Sequence, residues 1–115
     1  MYYLDLNSPS IVQAIDATTE NLENAKFVRV EVVDVVNPGK LPIAFQVHYQ
    51  TRTGEKLYLG SFGLYPSDNP GKFLIATRGK LRKEGAVVLS LVRPENVVVG
   101  DTIRVGVKRM QFVNE

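Results

Sequence analysis

The sequence predicts an all-β domain: an antiparallel β-sandwich of seven to eight strands, cupredoxin-like or immunoglobulin-like. Three observations carry this. Apolar residues repeat with a period of two almost everywhere after residue 26, the spacing that turns one face of a strand inward. Clusters of Pro, Gly, Asn and Asp break these stretches roughly every 8–12 residues, as in sandwiches and barrels. The 115 residues include no Cys, so burial alone must hold the fold, and that length suits one domain spanning residues 1–115.

The first 25 residues are ambiguous. Ser8-Pro9-Ser10 followed by Ile11, Ala14 and Ile15 has helical spacing with a cap, whereas Thr18-Thr19 and the strand-rich remainder favour extended chain. The expectation is a strand over Ser10–Thr19 and a polar loop over Thr19–Asn24. Lys26–Val36 follows, with Val28, Val30 and Val32 on one face. The doubled Val32-Val33 shifts the phase, which reads as a bulge, and Asn37-Pro38-Gly39 ends the strand. Ile43–Gln50 sets Ile43, Phe45, Val47 and Tyr49 against Ala44, Gln46, His48 and Gln50. Arg52-Thr53-Gly54 closes a hairpin onto Lys56–Tyr65, where Gly60 and Gly63 mark a kink or a close backbone approach. Beyond the turn cluster Pro66–Gly71 come a short strand, Lys72–Thr77, and a charged connection, Arg78–Gly85. Ala86–Val92 is rich in β-branched residues and suits a central position. The last strand, Thr102–Val113, alternates Ile103, Val105 and Val107 with Arg104, Gly106 and Lys108.

Composition narrows the chemistry. With no Cys and a single His, His48, the chain lacks the ligand set of a zinc or blue-copper site and the base-plus-nucleophile pairing of a Ser-His-Asp apparatus. No metal, cofactor or catalytic residue is expected. The longest apolar runs, such as Ala86-Val87-Val88-Leu89, fall far short of the ~18–20 residues of a membrane helix. The N-terminus lacks the blocks of a signal peptide; no address is written, and cytoplasm is only the default. Net charge is +2, split between an acidic first third and a basic remainder that a folded sandwich would interleave.

Each candidate site has a plain reading beside the functional one. His48 belongs to the polar row of its strand, where a surface imidazole is ordinary; the functional reading is an acid–base group or one ligand of a site shared with another chain. Arg78, Lys80, Arg82 and Lys83 form a basic cluster able to bind a polyanion. Glu84 follows at once and no aromatic is interleaved for base stacking, so a solvated loop is the plainer reading and nucleic acid is not the expected partner. Gly60-Ser61-Phe62-Gly63 lacks the spacing and Lys of a phosphate loop. Tyr58 and Tyr65 flank turns; exposed, they could form a sugar platform or an interface anchor. Glu31 and Asp34, three apart on one strand, fall on opposite faces unless the bulge intervenes.

The central segment Leu41–Thr77 resembles the β-rich C-terminal domain of tyrosinases and polyphenol oxidases. The matching residues are Phe45, Val47 and Tyr49, then Gly60, Phe62, Leu64 and Tyr65, with Val28–Val36 in the same order. That family's domain is a cupredoxin-like sandwich without copper of its own, packed over a di-copper catalytic domain whose substrate access it can block. The family's copper-binding histidines have no match here, so the resemblance implies an accessory or shielding role. Taken together, the sequence leads to a non-catalytic interaction module with a protein partner or in a homo-oligomer; the alternative is a small-molecule or carbohydrate binder using Tyr58, Tyr65 and His48.

Overall fold

A computed structural model describes residues 1–16, 18–19, 22, 24–95, 97 and 102–114. Among them are nine strands and no helix: β1 (Tyr2–Asp5), β2 (Ser10–Ala14), β3 (Phe27–Val36), β4 (Ala44–Gln50), β5 (Lys56–Gly63), β6 (Gly71–Ala76), β7 (Ala86–Val92), β8 (Arg104–Val107) and β9 (Gln111–Val113). They form the expected antiparallel sandwich. One sheet runs β1-β8-β3-β6, with β9 also on β3, and the other runs β2-β7-β4-β5. The chain crosses between the sheets at every connection except β4–β5 and β8–β9, and this pairing order is that of a jelly roll. The immunoglobulin order instead keeps its first two strands in one sheet; here β1 and β2 lie in opposite sheets.

The period-two pattern fills the space between the layers. Val28, Val30, Phe45, Val47, Val87, Leu89 and Val105 are fully buried. Their packing supplies most of the stability, at about 25 cal/mol per Å² of apolar surface removed from water. A ring ladder closes one flank: Phe45 stacks on Phe62 at 4.9 Å and Phe62 on Phe73 at 4.2 Å, joining β5 and β6, edge strands of opposite sheets.

Local phase breaks behave as the sequence suggests. The β3–β8 register shifts between Val32 and Asp34. That bulge brings Asp34, opposite Gly106, to the outer face shared by Glu31, whose carboxylate lies 3.5 Å from the Lys108 ammonium. Another shift lies between Val47 and His48 on the β4–β5 pair, at Gly60, where a Cβ would meet the Ile75 side chain at 3.0 Å.

Three expectations are corrected. Ser10–Thr19 is a strand only through Ala14, because Ile15 leaves the ladder after one bond to Gly85 (2.9 Å) and Asp16 opens a turn with Thr18 and Thr19. The Thr19–Asn24 loop lies partly outside the described residues. Thr102–Val113 is two strands: after Lys108 N–H bonds Glu31 C=O on β3 (3.0 Å) the chain leaves the β3 ladder, and the buried Gln13 side chain bonds Met110 through both N–H (2.8 Å) and C=O (3.0 Å). The strands number nine among the described residues, not seven to eight: Tyr2–Asp5 adds one, paired with β8 and too short to show a period of its own.

Candidate functional site

Because consecutive strands run antiparallel, every second connection emerges at the same end. All six prolines fall in the four loops of one end: Pro9, Pro38 and Pro42, Pro66 and Pro70, and Pro94. Asn37, 5% exposed, braces this end. Its Nδ2 donates to the carbonyls of Leu41 (2.8 Å) and Ser67 (3.0 Å), and its Oδ1 accepts from the Leu41 N–H (3.1 Å). One side chain thereby ties the β3–β4 loop to the β5–β6 loop, and Leu64 N–H donating to Ile43 C=O (3.0 Å) repeats the tie.

Between these two loops lies an apolar cleft of about 610 Å³, lined by Pro42, Ile43, Leu64, Tyr65 and Pro66, with Lys40 its one charged wall among the described residues. Tyr65 stands at the lip with 98% of its surface exposed, on a cis bond to Pro66. Its own chain covers almost none of the ring. Burying an aromatic is worth a large area term, so this exposure leaves favourable contact for another molecule.

The outer face of the β2-β7-β4-β5 sheet adjoins the cleft at Ala44, Gly63 and Val92. Cross-strand register lines up Val12, Val88, His48 and Tyr58 in one row, flanked by a row of Ser10, Ser90, Gln46 and Ser61 and a row of Ala14, Ala86, Gln50 and Lys56. Only Lys56 is charged. The outer face of the other sheet is instead laced with charge: Arg104 lies 5.1 Å from the Tyr3 ring, Lys108 pairs with Glu31, and Arg29 donates to Gln111.

The sequence-predicted residues therefore separate. His48 and Tyr58 meet edge to face at 5.5 Å on the charge-poor face. Tyr65 stands apart at the proline end, so Tyr58 and Tyr65 form no common platform. Arg78, Lys80, Arg82 and Lys83 occupy the β6–β7 loop at the opposite end. There Arg82 turns back to donate to the carbonyls of Gly79 and Leu81 (both 2.9 Å), Glu84 faces Arg52 at 3.4 Å, and Lys83 is engaged as well. The neighbouring β2–β3 segment meets this cluster through Leu22 and Ala25; its Glu20 and Glu23 lie outside the described residues.

Sequence reasoning missed a polar cavity flanked by Arg29 and Arg109. Its signal was a change of parity: the inward apolar side chains fall at odd positions in Ile103, Val105 and Val107 and at even ones in Met110 and Phe112, so the alternation breaks between them. Among the described residues, no group of three or more His, Cys, Asp or Glu side chains is placed to hold a metal ion. No family model, no curated protein and no solved structure matches the chain, and none of these comparisons links it to the tyrosinase C-terminal domain.

Proposed function

We propose that the chain is a non-catalytic protein-interaction module that docks through its proline end, with Tyr65 as the anchor. The observation behind this is a tyrosine 98% exposed on a loop that Asn37 braces from within. A braced loop loses little freedom on docking, and proline brings no N–H to be desolvated, so more of the contact energy remains as affinity. Tyrosine is also among the residues that dominate interface energetics. A projecting ring beside an apolar cleft suits insertion into an open site on a partner, consistent with the shielding role implied by the tyrosinase-like pattern.

The test is affinity capture with wild-type and Tyr65→Ala protein as bait, beside sedimentation velocity at high concentration. A partner, or a second copy, held by the wild type and lost with Tyr65→Ala supports docking. A chain that stays monomeric and retains nothing sinks it.

A second reading rests on the Tyr58–His48 pair, an aromatic edge beside an imidazole on a face rich in Ser and Gln. It makes that face a carbohydrate platform. Glycan binding that disappears in Tyr58→Ala and persists in Tyr65→Ala would favour it.

A further inference from the structure

Away from the proline end, a cavity of about 460 Å³ is lined by Asp16, Thr18, Arg29, Arg109 and Gln111 over a floor that includes Phe112. We propose that it binds a small hydroxylated anion, a sugar acid or sugar phosphate, whose oxyanion is held by Arg29 and Arg109 and whose hydroxyl donates to Asp16. The site is independent of the docking surface.

The cavity owes its form to a strand interruption held in place from the core. Gln13, 3% exposed on β2, gives one N–H to the Met110 carbonyl and accepts from the Met110 N–H, in the connection between β8 and β9 of the opposite layer. A buried side chain thus stands in for a strand partner and holds Met110 out of the ladder, after the last β3 bond at Lys108. Arg109 leaves the β3 register there and reaches the cavity mouth. Among the described residues Arg109 makes no ion pair. Arg29 sits across from Gln111 in the β3–β9 register and gives one N–H to its side chain; a guanidinium has five N–H donors, so others remain.

Asp16 supplies the complementary group. Thr18 donates to its Oδ1 through both backbone N–H (2.8 Å) and hydroxyl (2.5 Å), and neither bond uses Oδ2. The Thr18 hydroxyl first, its N–H next, and the Arg109 charge among lesser causes hold the carboxyl below the usual carboxylate range. At neutral pH Asp16 is therefore an acceptor only, and a ligand hydroxyl is the donor it lacks. Two guanidinium groups against one carboxylate leave a net positive charge for the ligand's anion, and bidentate donors suit carboxylate or phosphate. The volume falls within the roughly 300–1,000 Å³ of small-molecule sites, and Phe112 offers an apolar surface to ring carbons.

The test is a titration of the full chain, followed by amide NMR shifts and calorimetry, with glucuronate, glucose 6-phosphate, neutral glucose and glutamate as probes. The expected result is a saturable shift at Thr18, Thr19 and Gln111 with glucuronate, glucose 6-phosphate or both, and none with glucose. Which of the two binds tells carboxylate from phosphate. Arg109→Ala weakens binding by about tenfold or more, the scale of one lost charge-assisted hydrogen bond. Arg82→Ala and Tyr65→Ala leave it unchanged. Silence from both anionic sugars, glutamate binding as tightly as glucuronate, or an equal loss in Arg82→Ala each overturns the proposal.

Discussion

The two ends of this sandwich solve the same problem in different ways. The β2–β3, β4–β5 and β6–β7 loops contain no proline; Gly54 turns the β4–β5 loop and Gly79 and Gly85 turn the β6–β7 loop, in left-handed conformations with φ of +95°, +68° and +92°. Main-chain bonds clamp this glycine end to the sheets: Ile15 N–H to Gly85 C=O (2.9 Å), Thr77 N–H to Lys26 C=O (2.9 Å) and Lys26 N–H to Val113 C=O (2.9 Å). Its described charges are dense, and Arg52 pairs there with Glu84. At the proline end, chain stiffness and the Asn37 side chain do the bracing, charges are sparse, and Tyr65 projects. Tight left-handed turns fold a loop onto its own sheet and satisfy its polar groups internally. Proline instead fixes the chain while removing donors, so apolar surface can stay outward without stranding many N–H groups. The glycine end turns most of its backbone groups onto its own sheets and keeps the arginine cavity beside them; the proline end leaves an apolar surface for contact with something else.

Substitutions can break this contrast, beginning with the largest expected loss. Gly85→Ala forces an L side chain into positive φ and sets its Cβ 2.3 Å from the Gln50 carbonyl oxygen. The expected cost is about 2–4 kcal/mol from strain and overpacking, read as a lower urea midpoint. A loss below that of Asn37→Ala would show that the glycine end is not the tighter one. Asn37→Ala strips three hydrogen bonds from the β3–β4 and β5–β6 loops. It should cost about 1–3 kcal/mol and weaken capture of any partner even at temperatures where the chain stays folded; unchanged capture would show that bracing is irrelevant to docking.

Smaller effects sharpen the picture. Tyr49→Phe removes a hydroxyl that donates to the Glu84 carbonyl (2.7 Å) and anchors the glycine end from the core; about 1 kcal/mol is expected in chemical denaturation. Arg52→Ala breaks an ion pair whose side chains are 76% and 55% exposed, so thermal unfolding should register less than about 0.5 kcal/mol. Tyr65→Ala should leave the unfolding midpoint unchanged within error while abolishing partner binding, since the ring supports nothing within its own chain. A clear loss of stability would mean that Tyr65 packs as core and is no anchor.

Much of the fold was legible because an alternating strand pattern is local. Val28, Val30 and Val32 announce an inward row, Val32-Val33 announces the bulge, and Ala86–Val92 announces a central strand. The break at Arg109–Met110 was legible only as a parity change, because its cause, Gln13, lies almost a hundred residues away. The candidate sites were less legible still. Tyr58 and His48 meet because β4 and β5 form a hairpin, a local connection. The Tyr65 cleft needs the β3–β4 loop beside the β5–β6 loop, and the arginine cavity needs β2, β3 and β9 together.

By itself the sequence determined which residues of the central strands face inward, where Pro and Gly turn clusters separate strands, and that no set of histidines or cysteines exists to build a catalytic metal centre, since each follows from side-chain period, turn chemistry or composition. Strand order was decided only in three dimensions, because the period of two is the same for any sandwich whatever the pairing. The gathering of six prolines, scattered along the chain, at one end follows from that order: alternate connections of antiparallel strands must emerge together, and pairing alone says which strands those are.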